Sequence, residues 1–129
     1  MDVSIAADTL SALIAAEASS PEREICGLMF GTDDRIDRVE AAANVAPDPR
    51  RAFEIDPRAL FSALRAVRRG GDRLIGHYHS HPGGSPIPSP TDLAAAEPGK
   101  MWLILASGTA RLWLAEPGGF RECRLVTAQ

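Results

Sequence analysis

A mixed α/β (α+β) domain is the fold class that this 129-residue sequence predicts, and three observations carry it. Several short runs are apolar throughout or alternate apolar with polar residues, as strands do. Two longer stretches repeat apolar residues at helical spacing, and clusters of Gly, Pro and Asp separate the segments. The length suits one compact domain, 1–129, with enough chain to bury a core without disulfide or metal staples. No internal repeat or low-complexity tract interrupts it.

Asp8 can cap a helix over 9–18, in which Leu10, Leu13 and Ile14 share the face that covers a sheet; Ser19, Ser20 and Pro21 end it. Residues 25–30 read as a buried strand, Gly31-Thr32-Asp33-Asp34 as a turn and 35–43 as an alternating partner, together a hairpin. The Pro- and Arg-rich stretch 47–51 reads as a loop and 53–55 as a short strand. Asp56-Pro57 then supplies the cap and first position of a helix reaching about Arg69, stopped by Gly70-Gly71. Residues 73–79 form a strand that enters a histidine segment. The loop beyond it carries Gly83, Gly84, Pro86, Pro88 and Pro90, and fixed proline dihedrals stiffen it. Thr91 can cap a short helix over 92–96, after which 101–106, 110–115 and 120–126 read as closing strands.

Composition excludes several function classes. A net charge of −3 gives no broad attraction for a polyanion, and Arg65, Arg68, Arg69 and Arg73 fit a solvated helix face better than a nucleic-acid site. No stretch is long or apolar enough to span a bilayer, and the amino terminus lacks the basic start and apolar core of a secretory signal. Cys26 and Cys123 follow no metal-finger or disulfide spacing, so a reducing cytoplasm is the expected compartment.

All three histidines sit at alternate positions in His77-Tyr78-His79-Ser80-His81-Pro82. On an extended strand alternate side chains share one face, so at least two imidazoles could hold one cation. Zinc accepts imidazole nitrogen and carboxylate oxygen, and a catalytic site leaves one tetrahedral position open; His79, His81 and Asp92 meet that need. Such an ion lowers the pKa of bound water to about 7. His77 shares the face, so alternation alone leaves it open as a further imidazole donor. Cys26 lies in an apolar run and reads as a core residue, while Tyr78 and Ser80 alternate away from the histidines as packing or hydrogen-bonding groups.

His79-Ser80-His81, a seven-residue gap that begins with Pro82, and Ser89-Pro90-Thr91-Asp92 resemble the HxHx7SxxD signature of the JAMM, or MPN-plus, metalloproteases. The upstream Glu24-Ile25-Cys26-Gly27-Leu28-Met29-Phe30-Gly31 is similar to that family's glutamate-bearing segment. The likeness extends over nearly the whole chain, including Asn44, Phe53-Glu54-Ile55-Asp56-Pro57 and Gly76-His77-Tyr78. It implies the JAMM fold, a curved mixed β-sheet flanked by helices and similar to cytidine deaminase. It also implies zinc ligands at His79, His81 and Asp92, Glu24 as general acid/base, and a Ser89 hydroxyl that steadies the tetrahedral intermediate. Glu22 competes with Glu24, and register relative to Cys26-Gly27 and Gly31 selects Glu24.

The activity implied is zinc-dependent hydrolysis of a peptide or isopeptide bond at the carboxyl-terminal tail of a ubiquitin-like or sulfur-carrier protein, with the tail adding to an exposed strand edge near the metal. Two other readings stand beside it. One is a non-catalytic MPN-type protein-binding scaffold, although such relatives usually lack some ligands. The other is a zinc hydrolase of a small molecule, although the His/Cys-x-Glu and Pro-Cys-x-x-Cys blocks of deaminases are missing. The short interval between Asp92 and 101 leaves little room for a polyubiquitin clamp, and the oligomeric state is open.

Overall fold

The computed structural model describes residues 1–128. Its elements run β1 (Asp2–Ala6), α1 (Ala7–Ala18), β2 (Cys26–Thr32), β3 (Arg35–Ala42), α2 (Pro57–Arg68), β4 (Leu74–Ser80), α3 (Pro90–Ala95), β5 (Met101–Ala106), β6 (Thr109–Glu116) and β7 (Gly119–Ala128). The mixed sheet anticipated from the sequence is present, and it closes on itself. Spatial order is β1-β3-β2-β4-β5-β6-β7, with β7 returning to β1. β4 pairs parallel to β5, and β1 pairs parallel to both β3 and β7, whereas the remaining neighbours are antiparallel.

Closure depends on β1, a strand that was not among the sequence-based expectations. Its signal is small but physical: Val3 and Ile5 alternate with Asp2 and Ser4, and both apolar side chains are fully buried. β1 runs straight into α1, which moves the helix start to Ala7 with Ala6 at the cap position. Asp8 therefore does not cap. It lies in the first turn, where its charge complements the helix dipole. The expected inner face of α1 is correct: Leu13 is buried, and Leu10 and Ile14 pack against the core of Val3, Ile5, Met29, Leu103, Leu105 and Leu112.

Asp56 caps α2 through its carboxylate, which accepts from the Arg58 N–H at 3.0 Å, with Pro57 in the first turn. α2 contributes Ala63 to a second cluster with Leu28, Phe30, Ile55 and Leu74. The expected strand at 53–55 is reduced to one isolated bridge between Asn44 and Ile55. Between these layers β4 is central, flanked by β2 and β5 in the registers Cys26↔His79 and His79↔Ile104.

Two glycines let β4 sit there. A Cβ on Gly76 would lie 1.9 Å from the Met101 carbonyl oxygen, and one on Gly27 would lie 2.3 Å from the Tyr78 ring. Gly76→Ala is expected to lower unfolding free energy by about 2–3 kcal/mol or to prevent folding. Gly119→Ala, where added carbon meets nothing within 4 Å, should change it by less than about 0.5 kcal/mol. Urea denaturation of the pair checks this; two equally small effects would contradict the close approach of β4 to β5.

Candidate active site and metal centre

β4 delivers His79 at its penultimate residue and the chain places His81 just past its end. Period-two alternation aims both imidazoles at one spot, while Ser80 turns the other way. There Ser80 fixes the neighbouring segment: its Oγ accepts from the Ile25 N–H at 2.9 Å, and its own N–H donates to the Ile25 carbonyl at 3.1 Å. That pair of bonds holds Glu24, one residue upstream, beside the histidines.

Asp92 arrives on α3. Ser89, not Thr91, is the helix cap. Its Oγ accepts from the Asp92 N–H at 3.1 Å, while Asp92 Oδ2 accepts from the Ser89 N–H at 2.9 Å, and Pro90 fills the first turn. This is the reciprocal capping box, written in the sequence as Ser-Pro-Thr-Asp. The loop before it is clamped in turn. His81 N–H donates to the Leu105 carbonyl at 2.8 Å, Trp113 Nε1 to the Pro86 carbonyl at 3.0 Å and Ser107 Oγ to the Gly84 carbonyl at 3.3 Å.

The three donor atoms meet closely. His79 Nε2 and His81 Nε2 are 3.0 Å apart, and Asp92 Oδ2 lies 3.3 Å from the first and 3.0 Å from the second. His81 Nδ1 lies 2.9 Å from the Ser85 carbonyl and donates to it, which leaves Nε2 as the nitrogen that faces the centre. Ligands about 2.0–2.1 Å from a tetrahedral zinc are separated by roughly 3.3 Å, so the spacing observed here fits a single small cation. Burial pushes the His79 imidazole below its ordinary pKa, leaving it neutral and available as a ligand. Burial alone would raise Asp92, but hydrogen bonds from His79 and His81 hold it well below the usual carboxylate range.

Glu24 also approaches both histidines, with donor atoms of Glu24, His79 and His81 all within 4.8 Å of one another. Asp92 Oδ2, at 3.0–3.3 Å from the two imidazole nitrogens, lies within that limit as well. Burial raises Glu24 to about 7, partly opposed by His81 and reinforced by the charge of Asp92. A carboxyl that gains and loses a proton near neutrality suits proton transfer better than ligation. Glu22 is exposed, so burial separates the two candidates.

Asn44 supports this arrangement in a way its sequence position did not announce. Its Nδ2 donates to the Glu24 carbonyl at 2.9 Å and to the Ala52 carbonyl at 3.1 Å. Its Oδ1 accepts from the N–H groups of Ala46 at 3.0 Å and Glu54 at 3.1 Å. All four hydrogen-bonding positions of the amide are thus used. Phe53, at the end of the same loop, stacks on His79 at 4.2 Å. His77 is wedged between Phe53 and Trp102, outside the donor cluster, and burial drives its pKa down to about 3. Cys26 and Tyr78 are buried, as packing residues should be.

The raised Glu24 has a consequence for metal-free protein. A carboxyl moved from 4.5 to about 7 costs the folded state above that range, where it must ionise while buried, and costs nothing below pH 4.5, where both states are protonated. Glu24→Gln in chelator-treated protein is therefore expected to melt higher than wild type at about pH 8. The advantage should shrink as pH falls through 7 and vanish below 4.5. An advantage that grows on acidification would show that the carboxyl is held low.

Residues 6–121 match the family model for prokaryotic homologs of the JAB domain. The chain is 36% identical over 130 residues to the desampylase of Haloferax volcanii, covering 93% of this chain and 92% of that one. It is 38% identical over 104 residues to a probable TtuB-protein conjugate cleaving protease of Thermus thermophilus, covering 81% and 68%. In fold it is similar to the solution structure of a Desulfitobacterium hafniense protein, with TM-score 0.84, 24% identity, and 98% and 93% of the two chains covered. A JAB1/MPN domain protein from Archaeoglobus fulgidus superposes with TM-score 0.61 at 21% identity over 98% and 97%. This chain belongs to the family of prokaryotic homologs of the JAB domain.

Proposed function

We propose that residues 1–129 act as one metallopeptidase domain that hydrolyses a peptide or isopeptide bond at the tail of a ubiquitin-like or sulfur-carrier protein. His79, His81 and Asp92 hold zinc in this reading, Glu24 is the general acid/base, and Ser89 donates to the developing oxyanion. The observation that carries it is the meeting of three side-chain donor atoms at 3.0–3.3 Å, with the buried Glu24 carboxyl within 4.8 Å of both imidazoles. The relatives' names, a desampylase and a probable conjugate cleaving protease, support the substrate class.

A zinc ion at the donors supplies Lewis acidity, polarising a carbonyl and acidifying water near neutral pH. Glu24 accepts the proton released as water adds to the scissile carbon. It returns that proton to the nitrogen as the carbon–nitrogen bond breaks, and no acyl-enzyme forms. Ser89 Oγ accepts from the Asp92 N–H and keeps its own hydrogen, which it donates to the carbonyl oxygen as charge grows there.

The barrel's closure changes how a tail can bind, because the expected sheet edge near the metal is already paired. The segment 53–55 offers an edge instead. Its Glu54 groups face the Asn44 side, so alternation turns the N–H and C=O of Phe53 and Ile55 outward, where they have no hydrogen-bond partner among the described residues. An extended tail can pair with that edge while Phe53 rests on His79. A cytoplasmic setting suits the two buried free thiols, Cys26 and Cys123, and no described helix is long and apolar enough to cross a membrane.

Incubating zinc-loaded protein with diglycine-tailed carriers, conjugated and carboxyl-extended, and weighing the products by mass spectrometry tests the reading. Release after the diglycine is expected. Glu24→Gln should retain one zinc per chain while cleavage falls by about 10²–10⁴-fold. His79→Ala should lose zinc, as measured by metal analysis. Full zinc occupancy with no cleavage of any carrier would overturn the protease reading and leave a binding role.

A further inference from the structure

Beside Glu24 lies a cleft of about 320 Å³ lined by Glu24, Arg50, Arg51, His81, Pro82, Gly84 and Ser89. The loop that brings the two arginines there is tied down at several points. The Pro49 carbonyl accepts from the Glu24 N–H at 2.6 Å, the Asp48 carbonyl accepts from the N–H groups of Arg51 at 3.2 Å and Ala52 at 3.1 Å, and Asn44 grips the Ala52 carbonyl at 3.1 Å. The arginines therefore stand at the mouth of the site because the bonds that position Glu24 also position them.

Their guanidinium groups are largely uncommitted. The nearest carboxylates, Glu22 to Arg50 and Asp48 to Arg51, are each 3.9 Å away, and the side chains are 72% and 88% exposed. By contrast, Arg111 is forked onto Glu122 by two hydrogen bonds of 2.7 and 2.6 Å. Two planar donor groups with free N–H bonds match one carboxylate well. Among the described residues, Glu24 is the one carboxylate lining the cleft.

Geometry also says which half of a substrate meets them. The free edge at 53–55 runs beside His79, through the Phe53 ring, so the acyl tail occupies that side. The cleft opens on the His81 side, and Glu24, which protonates the departing nitrogen, lines it. Resting on the cleavage reading above, we infer that Arg50 and Arg51 form a carboxylate-reading subsite for the leaving group. The ligand chemistry is a carboxylate close to the departing nitrogen. It comes either from the α-carboxylate of a single amino acid or from an acidic side chain flanking a modified lysine.

Two substrate pairs separate the sources. In the first, a diglycine-tailed carrier is extended by one amino acid with a free or an amidated α-carboxyl group. In the second, the same carrier is joined through its diglycine to a lysine peptide flanked by Glu or by Gln. With zinc-loaded full chain, at least one pair should show a preference of about tenfold in kcat/KM for the carboxylate-bearing member, expressed mainly in KM and weakened by salt. The ratio should fall towards one in Arg50→Ala/Arg51→Ala. In Arg50→Glu/Arg51→Glu it should invert, and a Lys-flanked peptide should become the better substrate. Circular dichroism and zinc content of each variant report that the fold and metal site are kept. Cleavage of all four substrates with ratios near one in wild type would overturn the subsite while leaving the protease reading intact. A wild-type preference that survives both double variants would overturn it too. Cleavage of none would overturn both.

Discussion

A single carboxylate oxygen, Asp92 Oδ2, joins the local fold to the donor cluster. It accepts from the Ser89 N–H to close the start of α3 and lies 3.0–3.3 Å from both imidazole Nε2 atoms. A carboxylate buried to this extent is tolerated when charged or polar partners surround it, and here the partners are two histidines and a helix start. In the proposed chemistry the same atom is a metal ligand, so helix capping and ligand placement cannot be separated. The stiff 82–89 loop, held by Trp113 and Ser107 and anchored ahead of it by the His81 bond to Leu105, fixes where that helix begins.

The barrel supplies the second constraint. β4 is paired on both sides, which fixes the direction of every side chain along it and leaves His79 unable to rotate its face away from His81. Its close packing against β2 and β5 is possible because Gly27 and Gly76 carry no Cβ. Glu24 is held at the same spot by the hydrogen bonds between its neighbour Ile25 and Ser80, by its own N–H donating to the Pro49 carbonyl and by Asn44 Nδ2 donating to its carbonyl. Those bonds join a glutamate, an arginine-bearing loop and a ring stacked on His79 into one unit.

Much of this was legible in the residues themselves. The alternation of His79 and His81, the spacing to Asp92 and the likeness around Glu24 identified the residues that the fold brings together, and burial separates Glu24 from Glu22. Other features were hidden for physical reasons. β1 is short, its two inward residues form too small a pattern to stand out, and its partners β3 and β7 are remote in sequence. Closure of the barrel follows from that strand and was invisible without it. The cap of α3 lies at Ser89, two residues before the expected Thr91, because Ser89 and Asp92 form a capping box and Pro90 fits the first helical position. The fourfold bonding of Asn44 depends on a loop that only tertiary contacts define.

The most direct measurement is a crystal structure of the zinc-loaded chain with anomalous scattering recorded at the zinc edge. One ion should lie about 2.0–2.1 Å from His79 Nε2, His81 Nε2 and an Asp92 oxygen, with Glu24 outside bonding distance of the metal. Zinc bound through Glu24 in place of Asp92, or through His77, would contradict the arrangement of roles described here.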